Sequence, residues 1–136
     1  MNIEKTCAII KPDAVASGFT GPIIALIENS GFVIKHMEKK QLSTAEAEGF
    51  YEVHKARFFF RELVDFMTSG PCVIMVLERQ DAVAAWRDLM GATNPAEARL
   101  GTLRNLFGAD VGKNATHGSD SAENAAGETA YFFPRD

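Results

Sequence analysis

The sequence predicts an α+β fold: a ferredoxin-like βαββαβ arrangement with a four-stranded antiparallel sheet covered by helices, an inserted helical hairpin and a long loop before the last strand. Three observations predict it. Short runs of strand character at Cys7–Ile10, Phe32–Lys40 and Cys72–Leu77 are separated by segments with helical spacing. Those helical segments keep their apolar residues to one side, as helices lying on a sheet do, and the sheet is expected to be covered on one side. The order is β-α-β, a helical hairpin, β-α, a loop, then β-α within 136 residues, a length that fits one domain spanning residues 1–136.

Cys7 to Ile10 is stopped by Lys11-Pro12-Asp13, which reads as a buried strand ending in a turn, because proline cannot continue the ladder of a central strand. Thr20-Gly21-Pro22 opens a helix whose buried face is Ile23, Ile24, Leu26 and Ile27, and Gly31 stops it. Phe32 to Lys40 alternates loosely, the pattern of a strand with one wet face. Ser43 followed by Glu46 is a capping box, so a helix begins there and carries Phe50 and Tyr51 before breaking near Lys55. A shorter helix from about Phe59 to Met67, with Leu63, Phe66 and Met67 inward, ends at Ser69-Gly70-Pro71. Cys72 to Leu77 is continuously apolar, as in a strand covered on both faces, and Asp81 is expected to cap a helix running to Met90. From Gly91 to Gly112 the pattern weakens into a loop with one helical turn at Leu103 to Phe107. Thr116 to Gly118 reads as a short strand. Asp120 with Glu123 is expected to cap a last helix whose Ala122, Ala125, Ala126, Thr129 and Ala130 pack closely on the sheet.

Composition narrows the function. Hydrophobic residues make up 46% and charged residues 24%, an ordinary globular balance. A net charge of −4 argues against a nucleic-acid module relying on a broad basic surface, but allows an anionic small substrate held by a few cations in one cleft. Cys7 and Cys72 lie in apolar runs and read as buried, reduced thiols. With three scattered histidines they give no zinc-ligand spacing, so no protein-bound metal is expected. The N-terminus lacks a signal-peptide layout and no apolar stretch reaches membrane-span length, so a cytoplasmic protein without membrane contact is expected.

Gly108 to Asn114 superficially resembles a phosphate loop. It is one residue short, and Asn114 stands where Ser or Thr must reach Mg²⁺. No protein-kinase glycine loop or nucleophile elbow is present either. His36 and His54 read as ordinary surface or boundary residues. His117 differs: Gly118 leaves room beside it, and Asn114, Ser119 and Asp120 are polar neighbours. On these neighbours alone a structural histidine remains the commoner outcome. A nucleophilic histidine needs one ring nitrogen free and the other held by an acceptor, for which Glu128 is the candidate. A transferred phosphoryl group also needs cations and donors, and Arg87, Arg104 and Thr93 qualify.

Seven segments in order, covering nearly the whole chain, resemble the nucleoside diphosphate kinase family. They are Ala8-Ile9-Ile10-Lys11-Pro12-Asp13, Gly49-Phe50-Tyr51, Arg57-Phe58-Phe59-Phe60, Ser69-Gly70-Pro71, Trp86-Arg87, Gly91 to Pro95 and Gly101 to Arg104. The family's Asn-x-x-His-Gly-Ser-Asp hallmark is supplied by Asn114 to Asp120. The resemblance implies that His117 takes the γ-phosphoryl group of a nucleoside triphosphate, mainly ATP, and delivers it to another diphosphate in a ping-pong cycle. It implies phosphate contacts from Arg87, Thr93 and Arg104, with Tyr51 close to the reacting group. Lys11 and Asn114 would bind the sugar hydroxyls, Lys11 also reaching phosphate, and Phe59 and Val111 would sandwich the base. Glu128, positioned by Ser119, would hold the far nitrogen of His117. Mg²⁺ would ride on the nucleotide phosphates.

The chain departs from the family pattern at Phe58, where relatives often carry proline, at Leu100, and at Thr129 after Glu128. Its end at Asp136 resembles the short-tailed bacterial type, with a homo-oligomer implied, tetramer or hexamer. Two rival readings are a ligand-binding regulatory module of the same fold and a phosphocarrier serving protein partners. The second would not need Lys11, Asn114 or Phe59.

Overall fold

The first strand described along the chain is one of the two interior strands of the sheet. In the computed structural model, which describes residues 2–135, β1 (Ile3–Ile10) pairs antiparallel with β3 (Cys72–Gln80) on one edge and with β4 (Thr116–Gly118) on the other. β2 (Val33–Lys40) adds antiparallel to β3, giving the order β2-β3-β1-β4. The predicted four-stranded antiparallel sheet is therefore present. β1 extends further toward the N-terminus than its apolar run, because Glu4 lies opposite Arg79 and Lys5 opposite Glu78, and opposite charges facing across a ladder favour pairing.

Helices cover both faces, not one. Ala8 and Ile10 of β1 join Val73, Met75 and Leu77 of β3 in a core closed by α1 (Pro12–Ala16), α2 (Thr20–Asn29), α5 (Ala82–Met90) and α6 (Leu103–Phe107). Cys7 and Ile9, with Cys72 and Ile74, point the other way. They meet α3 (Thr44–Phe50) and α4 (Phe60–Met67), with Phe132 of α7 (Ala122–Phe132) packed against them. Unbroken apolar runs in β1 and β3 are the sequence signature of this two-sided burial.

Several local expectations hold in detail. Ser43 and Glu46 make both bonds of the capping box, α2 ends before Gly31 at φ 88°, and the helical turn at Leu103–Phe107 is α6. Others need correction. Lys11-Pro12-Asp13 does not simply turn the chain: Pro12 starts α1, its fixed φ suiting the first helical position. Asp81 does not cap α5 with its side chain. It sits in the left-handed region at φ 52°, ψ 46°, and the early Val83 N–H is bound by Glu4 Oε1 from β1 at 2.9 Å. The cap of α7 is Ser121, whose Oγ accepts the Asn124 N–H at 3.0 Å, while Asp120 receives the Asn124 side chain. On α7 only Ala125 and Thr129 of the small-residue set are buried; Ala122, Ala126 and Ala130 are exposed. In α4 Met67 is inward as expected, joined by Val64 and Phe60, whereas Leu63 and Phe66 are half-buried.

Candidate active site

His117 occupies the middle of β4, opposite Ile9 of β1. A three-residue strand has little ladder of its own, and much of what fixes it comes from outside. The Trp86 indole on α5 donates its Nε1–H to the His117 carbonyl oxygen at 3.1 Å. Immediately before the strand, Ala115 sits at φ 75° and the Thr116 N–H bonds the Asn114 oxygen at 2.9 Å. This positive-φ γ-turn is strained for an alanine. The first loop clamps it: Asp13 Oδ2 accepts the Ala115 N–H at 3.1 Å, and the Ala115 carbonyl accepts the Lys11 N–H at 2.8 Å. Burial pushes the Asp13 carboxyl above its ordinary range despite this bond. Strain is thus stored one residue from the strand that carries His117.

Gly118 is needed for a different reason than access to the imidazole. A Cβ at this position would lie 2.5 Å from Met90 Cε and Trp86 Cδ1, so α5 approaches β4 only over a bare backbone. Gly118→Ala is expected to lower unfolding free energy by about 1–3 kcal/mol through overpacking, read as a lower urea midpoint at unchanged slope. An unaltered midpoint would show that α5 moves away freely.

The His117 ring is held at one nitrogen. Its Nε2 lies 3.0 Å from Glu128 Oε1 on α7, and the same oxygen accepts the Ser119 hydroxyl at 2.8 Å. The Phe50 and Tyr51 rings stand edge-on to the imidazole at 5.3 and 5.9 Å between centroids. Nδ1 makes no hydrogen bond among the described residues, and His117 lines an open cleft of about 1000 Å³. A carboxylate on Nε2 favours the tautomer with its proton there and leaves the Nδ1 lone pair free.

The α3–α4 hairpin forms one wall of this cleft and residues 91–114 the other. Lys11, Tyr51, Phe59, Arg87, Thr93, Arg104, Val111 and Asn114 all line it with His117, while Glu128 and Ser119 are bonded behind the ring. Every predicted site residue is thereby brought to one place. Lys11 Nζ donates to Asn114 Oδ1 at 2.8 Å, and Asn114 Nδ2 donates to the Thr93 carbonyl at 3.0 Å. Arg104 spans the floor, with Nη1 on the Gly91 carbonyl at 3.1 Å and Nη2 on the Thr116 carbonyl at 2.9 Å. Its Nε and the Tyr51 hydroxyl are buried without a partner among the described residues. Asp110 Oδ1 accepts the N–H groups of Gly112 and Lys113 at 3.0 and 2.8 Å, which shapes the turn presenting Val111.

Electrostatically the cleft is cationic on balance, with Lys11, Arg87, Arg104 and Lys113 outnumbering Glu62 and Asp110 along it. Burial, then the Arg104 charge, lowers the Lys11 ammonium to about 8, against which Asp13 acts weakly. Burial, then Arg87, lowers the Arg104 guanidinium to about 10. Burial pushes the Tyr51 phenol up, with Glu128 adding to it. A polyanion relieves the repulsion among the cations. Lys11 therefore loses its charge as pH rises through about 8 in the free protein, and a bound phosphate restores it. Nucleotide binding near pH 8.5 (roughly half a unit above that midpoint) is expected to take up a proton, measured by calorimetry in buffers of different ionisation enthalpy. Equal heats in both buffers would rule it out. The sign for stability is opposite. Between about 8 and 10.5 the unfolded chain holds the Lys11 proton more tightly, so the ligand-free fold gains stability as pH rises through that window.

Sequence reasoning missed His54. It lines the cleft with its ring stacked on Tyr51 at 6.5 Å and tilted against Phe59 at 5.5 Å, and is not an isolated boundary residue. Its spacing from Tyr51, one helical turn, is the available signal. His36, by contrast, stacks on Phe133 at 5.2 Å, on the edge strand β2. Asp13 and Trp86, which hold the backbone of the His117 strand, carry no sequence signal of that role.

The family model described as nucleoside diphosphate kinase matches residues 4–136. The chain belongs to the nucleoside diphosphate kinase family. It is 57% identical over 131 residues to the nucleoside diphosphate kinase of Desulfotalea psychrophila, covering 96% of both chains. To the enzyme of that name from Chlamydia abortus it is 59% identical over 133 residues, covering 98% of this chain and 94% of the relative. Among solved structures, the Aquifex aeolicus nucleoside diphosphate kinase superposes with a TM-score of 0.94 at 43% identity, covering 96% of this chain and 95% of that one. The Encephalitozoon cuniculi nucleoside diphosphate kinase gives 0.92 at 36%, covering 96% and 88%.

Proposed function

We propose that the chain transfers the γ-phosphoryl group of a nucleoside triphosphate, mainly ATP, to nucleoside diphosphates through a phosphohistidine at His117, maintaining triphosphate pools in the cytoplasm. The observation that carries this reading is the His117–Glu128–Ser119 array at the edge of a cationic cleft. With Nε2 engaged, the attacking atom is Nδ1. Its lone pair forms the N–P bond as the bond from phosphorus to the bridging oxygen breaks, and the diphosphate leaves with those electrons. The ring becomes cationic, and its Nε2–H strengthens its bond to the Glu128 carboxylate, so no proton need leave the imidazole. The second half-reaction runs the same step backward onto a different diphosphate.

Arg87, Arg104 and Thr93 are assigned to the phosphates, Arg104 from a guanidinium already fixed by two carbonyls. Tyr51 is assigned to the neighbourhood of the reacting group, where its buried hydroxyl lacks a partner. Lys11 and Asn114, already bonded to each other, take the sugar hydroxyls and the nearest phosphate. Phe59 and Val111 take the base between apolar surfaces, which any base tolerates. Mg²⁺ enters as part of the nucleotide substrate, since it prefers phosphate oxygens and retained water, and the side chains assigned to the phosphates are cations and a hydroxyl. A homo-oligomer, tetramer or hexamer, accompanies this reading. The open edge of β2 supports it, with Val33 and Met37 more than half exposed.

Incubation with γ-labelled ATP and Mg²⁺ is expected to label the protein with acid-labile phosphate, and added GDP to discharge it as labelled GTP. Labelled GTP without a labelled protein intermediate would sink the covalent route.

A further inference from the structure

We propose that Phe58 is a base-contacting residue that raises the preference of this site for purine over pyrimidine nucleotides. The proposal rests on the reading above that the base lies against Phe59. The Phe60 N–H donates to the Arg57 carbonyl at 3.1 Å, closing a four-residue turn with Phe58 and Phe59 at its centre. Phe59 at φ −86°, ψ −1° has the third-position geometry of a type I turn, which puts Phe58 second. That position asks only for φ near −60° and draws nothing from an aromatic ring; proline suits it best. Phe58 is 98% exposed and belongs to neither core cluster, so burial in the fold does not account for it. What the ring does have is a place in the cleft beside Phe59, at 5.6 Å between centroids and 81° between planes.

That angle decides the contact. A base lying flat on Phe59 is nearly perpendicular to Phe58, so a base whose N–H and C–H rim reaches the Phe58 ring meets it in the edge-to-face class of contact that aromatic pairs prefer. A bicyclic base carries that rim further beyond Phe59 than a monocyclic one. The contact therefore favours purines.

The test is kcat/KM for GDP and for CDP with ATP as fixed donor, in the unaltered protein, Phe58→Ala and Phe58→Pro. Proline keeps the turn while removing the ring, because the Phe58 N–H makes no backbone hydrogen bond among the described residues. For GDP, efficiency is expected to fall roughly threefold to tenfold in both variants, mainly through KM, and for CDP less than about twofold. Equal losses for the two acceptors, or no loss for GDP, overturn the proposal. Phe59→Ala, run in parallel, separates the two readings. If it weakens both acceptors while the Phe58 variants match the unaltered protein, Phe58 alone is removed. If Phe59→Ala changes neither, the base slot itself is wrong and the Phe58 proposal falls with it.

Discussion

His117→Ala is expected to abolish phosphoenzyme formation and to lower nucleotide transfer by about 10⁴-fold or more, since the proposed nucleophile is lost. The fold survives this change. Among the described residues the imidazole makes one hydrogen bond, to Glu128 Oε1, and that oxygen keeps the Ser119 hydroxyl at 2.8 Å. The backbone of β4 is held independently by Trp86 and by the Asp13 clamp on Ala115. The stability cost is therefore about 1 kcal/mol, the net worth of a single hydrogen bond. Nucleotide binding, measured by calorimetry, is expected to persist because Lys11, Arg87 and Arg104 are untouched. Transfer within tenfold of the unaltered rate would show that another group carries the phosphoryl.

Arg104→Ala is expected to act twice. Loss of a charge-assisted contact to phosphate removes about 1.5–3 kcal/mol of transition-state stabilisation, roughly a tenfold to 150-fold fall in kcat/KM. The same guanidinium ties the Gly91 carbonyl to the Thr116 carbonyl, so the variant also frees the start of the loop from β4. Arg104→Lys separates the two effects. An ammonium supplies charge but cannot hold two carbonyls and a phosphate in one plane, so it recovers only part of the activity. Unchanged kcat/KM in the alanine variant would exclude Arg104 from the site.

The fold was legible where its causes are local. Ser43 and Glu46 satisfy one another within one helical turn, and the runs at Cys72 and Thr116 carry their strand character in their own residues. It was illegible where the cause comes from a distant segment. An early N–H of α5, that of Val83, is served by Glu4, nearly eighty positions away, and Asp81, with its left-handed backbone, makes no side-chain cap. Two-sided cover followed from which face each helix took, although the apolar runs of β1 and β3 already hinted at it. For the site, the ordered motifs identified the cleft-lining set together with Glu128 and Ser119. Asp13 and Trp86 fall within two of those motifs, but nothing in the motifs shows that they act on the main chain around β4. The place of His54 depends on ring contacts with Tyr51 and Phe59 across a 3₁₀ turn, which its own sequence neighbours do not display.

The position of β1 between β3 and β4 has a consequence for how the enzyme comes into being. Ile3–Ile10 precedes both of its partners along the chain, and waits for Cys72–Gln80 to pair on one edge and for Thr116–Gly118 on the other. Pairings so distant along the chain close slowly and late. The strand bearing His117 is made after β1 and β3, and Glu128 on α7 follows it. A chain made only as far as β3 thus lacks the His117–Glu128 pair, because both residues lie on segments synthesised later.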